Sequence, residues 1–175
     1  MRICLAACAL VLIASVGASS QDTHSYVGLF ADDVHLNQTR VWYTGTDTQF
    51  DAWVWWLPSA RGLHAVTLQL SFPSNVIPGE ITLAPGTEGL TGCNDGVGPY
   101  CAMFLYCPSD WVWSHRRSCI LITDEKSMVQ IVGTPEATSC DPGYPAEPLI
   151  IMPYIFLNLK IAVEPQAWGA IKSLF

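Results

Sequence analysis

The chain has 175 residues, of which 50% are apolar and only 13% charged, a balance that excludes intrinsic disorder, a coiled coil or a long solvated helix. Lys and Arg total 8 against 15 Asp and Glu, for a formal charge of -7, so counter-charge for a nucleic-acid backbone is missing. The first twenty residues read as a secretory signal peptide (1–20): Met1-Arg2 as a positive start, Ile3 to Ala14 as the apolar stretch, and small residues from Ser15 to Ser20. The mature chain is then one domain of roughly 155 residues, divided into a β-sandwich at 21–164 and a tail at 165–175.

The elements after the leader are all β. Ser25 to Phe30 predicts a short strand, closed by Asp32-Asp33. Thr39 to Thr44 and Asp51 to Leu57 predict two more, ended by Gly45 and Pro58. From His64 to Phe72 the apolar Val66, Leu68, Leu70 and Phe72 alternate with Ala65, Thr67, Gln69 and Ser71, the period-two signature of a half-buried strand. Pro73 to Gly79 reads as a turn and Ile81 to Leu83 as a short strand. Pro85 to Pro99, with five glycines, reads as a long loop of the kind that carries binding sites. Tyr100 to Tyr106 and Cys119 to Thr123 read as strands around an aromatic connection, and Met128 to Val132 as another. Gly133 to Pro148 reads as irregular. Leu149 to Val163 gives one strand, or two broken near Pro153; its Pro, Asn158 and Lys160 argue against a membrane helix. Outside the leader no segment shows a helical stripe, so the fold class is an antiparallel two-sheet sandwich.

Five cysteines lie beyond the leader: Cys93, Cys101, Cys107, Cys119 and Cys140. With no C-x-x-C pair they read as disulfide candidates in an oxidising compartment, with one left over, and not as a zinc site. Proximity in sequence pairs Cys93 with Cys101.

Two segments carry a family resemblance. Ala60 to Glu80 (ARGLHAVTLQLSFPSNVIPGE) resembles the strand-and-bend of cohesin-like and related immunoglobulin-like bacterial modules. The ending Trp168-Gly169-Ala170-Ile171-Lys172-Ser173-Leu174-Phe175 resembles the W-G-x-[IV]-K-[AS]-L-[YF] terminus of small uncharacterised secreted bacterial proteins, which share an opening like Tyr26 to Asp32. The resemblance implies an immunoglobulin-like (cohesin-like) sandwich outside the cell, no chemistry, and a Cys107–Cys140 pair, which leaves Cys119 unpaired. The chain departs from that pattern in its density of tryptophan.

Trp53, Trp55, Trp56, Trp111 and Trp113 are the candidate ligand-binding residues. In strand geometry Trp53 and Trp55 share a face and Trp56 points the other way with Val54. Aromatic faces stack on sugar rings, and a polysaccharide-binding module requires a coplanar exposed row; the bland alternative is that these rings fill the core. Trp111 and Trp113 are expected to be the more exposed group, lying between Asp110 and Ser114-His115-Arg116-Arg117. Asp32-Asp33, Asp47 to Asp51 and Asn94-Asp95-Gly96 are oxygen-rich enough to suggest calcium, but they lack an EF-hand ladder and suit turns equally well. No cofactor is otherwise implied. The four histidines are scattered, and neither H-E-x-x-H nor G-x-S-x-G occurs.

The reading is a secreted or periplasmic, non-catalytic module with a structural or interaction role at or outside the cell surface, its partner a polysaccharide or another cell-surface protein. A carbohydrate-binding module and a small hydrolase are the alternatives. Nucleic-acid binding and integral membrane insertion are not expected.

Overall fold

The structure is a computed structural model and describes residues 23–36, 39–94 and 98–159. The expected leader and the tail motif lie outside the described residues. Eleven strands are present: β1 (Ser25–Phe30), β2 (Thr39–Val41), β3 (Thr48–Leu57), β4 (Ala65–Ser71), β5 (Val76–Leu83), β6 (Thr87–Gly89), β7 (Tyr100–Phe104), β8 (Val112–Leu121), β9 (Ser127–Thr138), β10 (Leu149–Met152) and β11 (Tyr154–Leu157). They form a five-stranded sheet, β10-β1-β3-β8-β5, and a six-stranded sheet, β2-β11-β9-β4-β7-β6. Pairing is antiparallel except at β1–β10 and β2–β11, which are parallel.

The alternation in β4 places Val66, Leu68 and Leu70 in the core, with Gln69 exposed. Across the core, β3 contributes Ala52, Val54 and Trp56, and β1 contributes Val27 and Leu29, all fully buried. Each such valine or leucine side chain contributes roughly 1.5–3 kcal/mol by leaving water. β11 adds Ile155 and Leu157 from the opposite sheet.

The strands run beyond their sequence expectation at several places, among them the short β6 inside the expected Pro85–Pro99 loop. Pro73 to Gly79 is only partly a turn: β5 runs through Pro78 and Gly79. As the last strand of its sheet it tolerates a residue without an N–H, and a register shift between Pro78 and Ile81 absorbs the irregularity. A Cβ at Gly79 would sit 2.6 Å from Ser118 Oγ, which instead accepts the Glu80 N–H at 2.8 Å.

The expected aromatic connection before Cys119 is the first half of β8, whose inward positions include Ser114, His115 and Arg117. Gly133 to Thr138, expected to be irregular, continues β9. Gly133 takes a left-handed φ of 70° where the β4 pairing slips between Thr67 and Gln69. Leu149 onward breaks at Pro153, and the two halves join different sheets. The Pro153 carbonyl accepts the Ile131 N–H at 2.9 Å as the chain crosses between them.

Two disulfides link Cys93 to Cys101 and Cys107 to Cys140; Cys119 is free and buried. The first closes the glycine-rich segment against β7. There Asn94, at φ 65°, donates to the Cys101 carbonyl (2.8 Å) and accepts its N–H (3.2 Å), as a strand partner would. The second joins the connections before β8 and after β9. Disulfides of this kind belong to an oxidising, non-cytoplasmic environment.

Candidate functional site: the outer face of the five-stranded sheet

The large aromatics divide between the two faces of β3. Trp56 lies in the core at 0% exposure, with its indole N–H donated to Ser114 Oγ at 2.9 Å. Trp53 and Trp55 point outward. Trp55 is nevertheless only 8% exposed, because the segment after β1 folds back over it. His35, at φ 48°, stacks on Trp111 (4.4 Å, 17°) and leans on Trp55 (4.8 Å). Phe30 meets both His35 and Trp111 edge-on at 6.2 Å. Asp32 Oδ1 holds this turn by accepting the Val34 and Leu36 N–H groups. Gly28 faces Trp55 across the β1–β3 ladder, and a Cβ there would lie 2.7 Å from the Phe30 ring.

Beyond this covered cluster, Trp53 and Trp113 meet perpendicularly (5.0 Å, 84°). Both are half-buried, and so is Trp111. The Arg116 guanidinium lies 5.6 Å over the Trp53 ring, donates to Thr82 Oγ1 at 3.2 Å and stands 4.0 Å from Asp51. A shallow groove of about 420 Å³ continues from there, lined by Gln49, Asp51, Gly79, Ser118 and Ile120 among others. Ile77 beside it is 49% exposed. The rings therefore form a perpendicular pair and a capped stack, not the coplanar exposed row that a polysaccharide platform requires. The sequence singled out Trp53, Trp55, Trp111 and Trp113. It missed Arg116 and His35, which only the fold brings to them.

The remaining polar groups have structural employment. His115 Nδ1 shares a hydrogen bond with Ser114 Oγ (2.8 Å) inside the core, and burial lowers its pKa to about 4. Burial raises the Cys119 thiol to about 12, which makes it a poor nucleophile. Burial also raises the Tyr100 phenol, with the nearby Arg117 opposing it. His64 stacks on Tyr144 at 3.9 Å. Arg61 pairs with Asp141 at 2.6 Å and Glu147 at 3.4 Å, and its pKa is raised chiefly by the Asp141 hydrogen bond. Among the described residues, no group of three or more His, Cys, Asp or Glu side chains is placed to hold a metal ion. Asp95 and Gly96, part of one calcium candidate, lie outside the described residues.

No family model matches the chain, and no curated protein matches it. Solved structures do. The seventh ScaB type I cohesin of Pseudobacteroides cellulosolvens matches with a TM-score of 0.56 at 6% identity, over 81% of this chain and 96% of that one. A cohesin module from a family 33 glycoside hydrolase of Clostridium perfringens gives 0.55 at 11%, over 78% and 98%. A type I cohesin–dockerin complex from Clostridium thermocellum gives 0.54 at 8%, over 80% and 97%. The chain has the cohesin-type β-sandwich fold.

Proposed function

We propose that the chain is a secreted, non-catalytic interaction module that binds another extracytoplasmic protein. It docks through the outer face of its five-stranded sheet, with Trp53, Trp113 and Arg116 at the centre. The observation that carries this reading is that half-buried Trp53–Trp113 pair with Arg116 laid over it, beside a shallow groove and the exposed Ile77. Trp and Arg are the residues that concentrate binding energy in protein interfaces, above all around a desolvated centre. The fold supports the same reading: one of the similar cohesins is a partner in a cohesin–dockerin complex. The two disulfides and the leader pattern support secretion.

The test is binding to the secreted and surface proteins of the source cell, comparing the wild type with a Trp53→Ala/Trp113→Ala variant of unchanged fold. A partner retained by the wild type and weakened by about 30-fold or more in the variant is the expected result. A saturable fluorescence response to polysaccharide that vanishes in the variant would replace this reading with a sugar-binding one.

A further inference from the structure

The strand edges of the sandwich are not equally protected. β5, at one end of the five-stranded sheet, carries Pro78 and a register shift, and both discourage a further strand. In the six-stranded sheet β2 has three residues, and β6 has three with Glu88 exposed among them. β10, the remaining edge, is Leu149-Ile150-Ile151-Met152, without charge, proline or register shift. Ile150 is 42% exposed and Ile151 40%. Among the described residues β10 pairs only with β1. An open apolar edge of this kind is a template for another strand.

The pairing with β1 shows which backbone groups are left over. The Pro148 carbonyl accepts the Ser25 N–H at 3.0 Å, and the register sets Ser25 beside Leu149 and Val27 beside Ile151. In a parallel ladder a residue turns its N–H and C=O to one side and the next residue turns them to the other. Ile150 and Met152 therefore turn theirs to β1, and the N–H and C=O of Leu149 and Ile151 point away from the sheet. The side chains alternate as well: Ile150 lies with Tyr26 on the outer face, and Ile151 with Val27 on the inner one.

These leftover groups are self-complementary. Let two copies of β10 lie antiparallel about a two-fold axis normal to the sheet, with Ile150 opposite Ile150 of the second copy. Leu149 of each copy then exchanges both hydrogen bonds with Ile151 of the other, and every outward group is used. Pro148 falls opposite Met152, where no outward N–H is needed. The two exposed Ile150 side chains meet in the closely spaced, non-hydrogen-bonded position. We propose that the chain pairs with a second copy of itself through β10, which joins the two five-stranded sheets into one. The interface is small, so the dimer is weak and concentration-dependent. The charge of -7 on each copy opposes it, and salt strengthens it. The outer faces of both copies look the same way, but the pairing does not rest on their use in docking.

The experiment is sedimentation equilibrium in high salt at up to about 1 mM protein, the range in which small interfaces associate. Ile150→Lys sets like charges directly opposite at the axis, and Ile77→Lys makes the same change on the far edge of the sheet. The wild type is expected to show a monomer–dimer equilibrium that Ile77→Lys keeps and Ile150→Lys weakens about tenfold or more. Monomer at every concentration would overturn the pairing, also where β10 then accepts a strand of another protein; so would equal dimerisation of Ile150→Lys. The register has its own test in mild oxidation. Ile150→Cys is expected to give a disulfide-linked homodimer and Met152→Cys, whose two copies lie well apart, is not. Equal yields from the two, or none from Ile150→Cys, would reject the arrangement.

Discussion

His115 couples the core to pH. Burial holds its pKa at about 4 in the folded protein, against about 6.5 in an unfolded chain. As pH falls through 6.5 the unfolded chain takes up a proton that the folded protein refuses until about pH 4. Unfolding is therefore favoured increasingly across that window, by about 3 kcal/mol in all, and the contribution is fully restored above it. Urea unfolding between pH 4 and 7 should show this loss, and His115→Gln should flatten the difference; equal pH slopes for both proteins would refute the assignment. None of this is legible in the sequence. The run Ser114-His115-Arg116-Arg117-Ser118 falls in the segment that reads as an aromatic connection and not as a strand, because three of its five residues are polar groups turned inward. The hydrophobic alternation that reveals β4 is thus absent from the first half of β8. Trp56, by contrast, is placed by simple strand parity with Val54.

At the scale of elements, the termini of strands from both sheets are fastened by one ionic knot. Glu147, whose side chain is fully buried, faces Arg61 at 3.4 Å and accepts from Ser25 Oγ at 3.3 Å. Ser25 Oγ in turn accepts the Ser59 N–H at 2.9 Å. Asp141 meets the same Arg61 from a half-exposed position. Removing Arg61 strands a buried carboxylate, whereas removing Asp141 loses only a solvent-screened contact. Arg61→Ala should therefore lower the denaturant midpoint clearly more than Asp141→Ala does. Equal costs would contradict the description of Glu147 as dependent on Arg61.

The Cys107–Cys140 bridge closes the same region across 33 residues, and its replacement by alanines should cost about 3–4 kcal/mol. Most strand centres were legible, because apolar runs divided by Gly and Pro mark them. The extents of β5 and β9 were not. Pro78 and Gly133 signal a break locally, while the pairing partners carry the strand past them through register shifts.

For the whole molecule, the two-sheet sandwich was legible from composition and period, and its cohesin-type topology agrees with solved structures at 6–11% identity. The use of the outer face was legible only as a cluster of tryptophans in sequence. Whether each ring fills the core, sits under a turn or faces solvent depends on the fold-back of His35 and on Arg116, which no local pattern encodes. On the proposed reading this face is a protein-docking surface. Site-specific photo-cross-linking tests it most directly, with the reactive group at Ile120 on the outer face of the five-stranded sheet and, as control, at Gln69 on the six-stranded sheet. The expected result is a discrete adduct with a secreted or surface protein from position 120, competed by wild-type protein but not by Trp53→Ala/Trp113→Ala, and none from position 69. Adducts from position 69 alone, or none from either position in a folded protein, would contradict the docking surface.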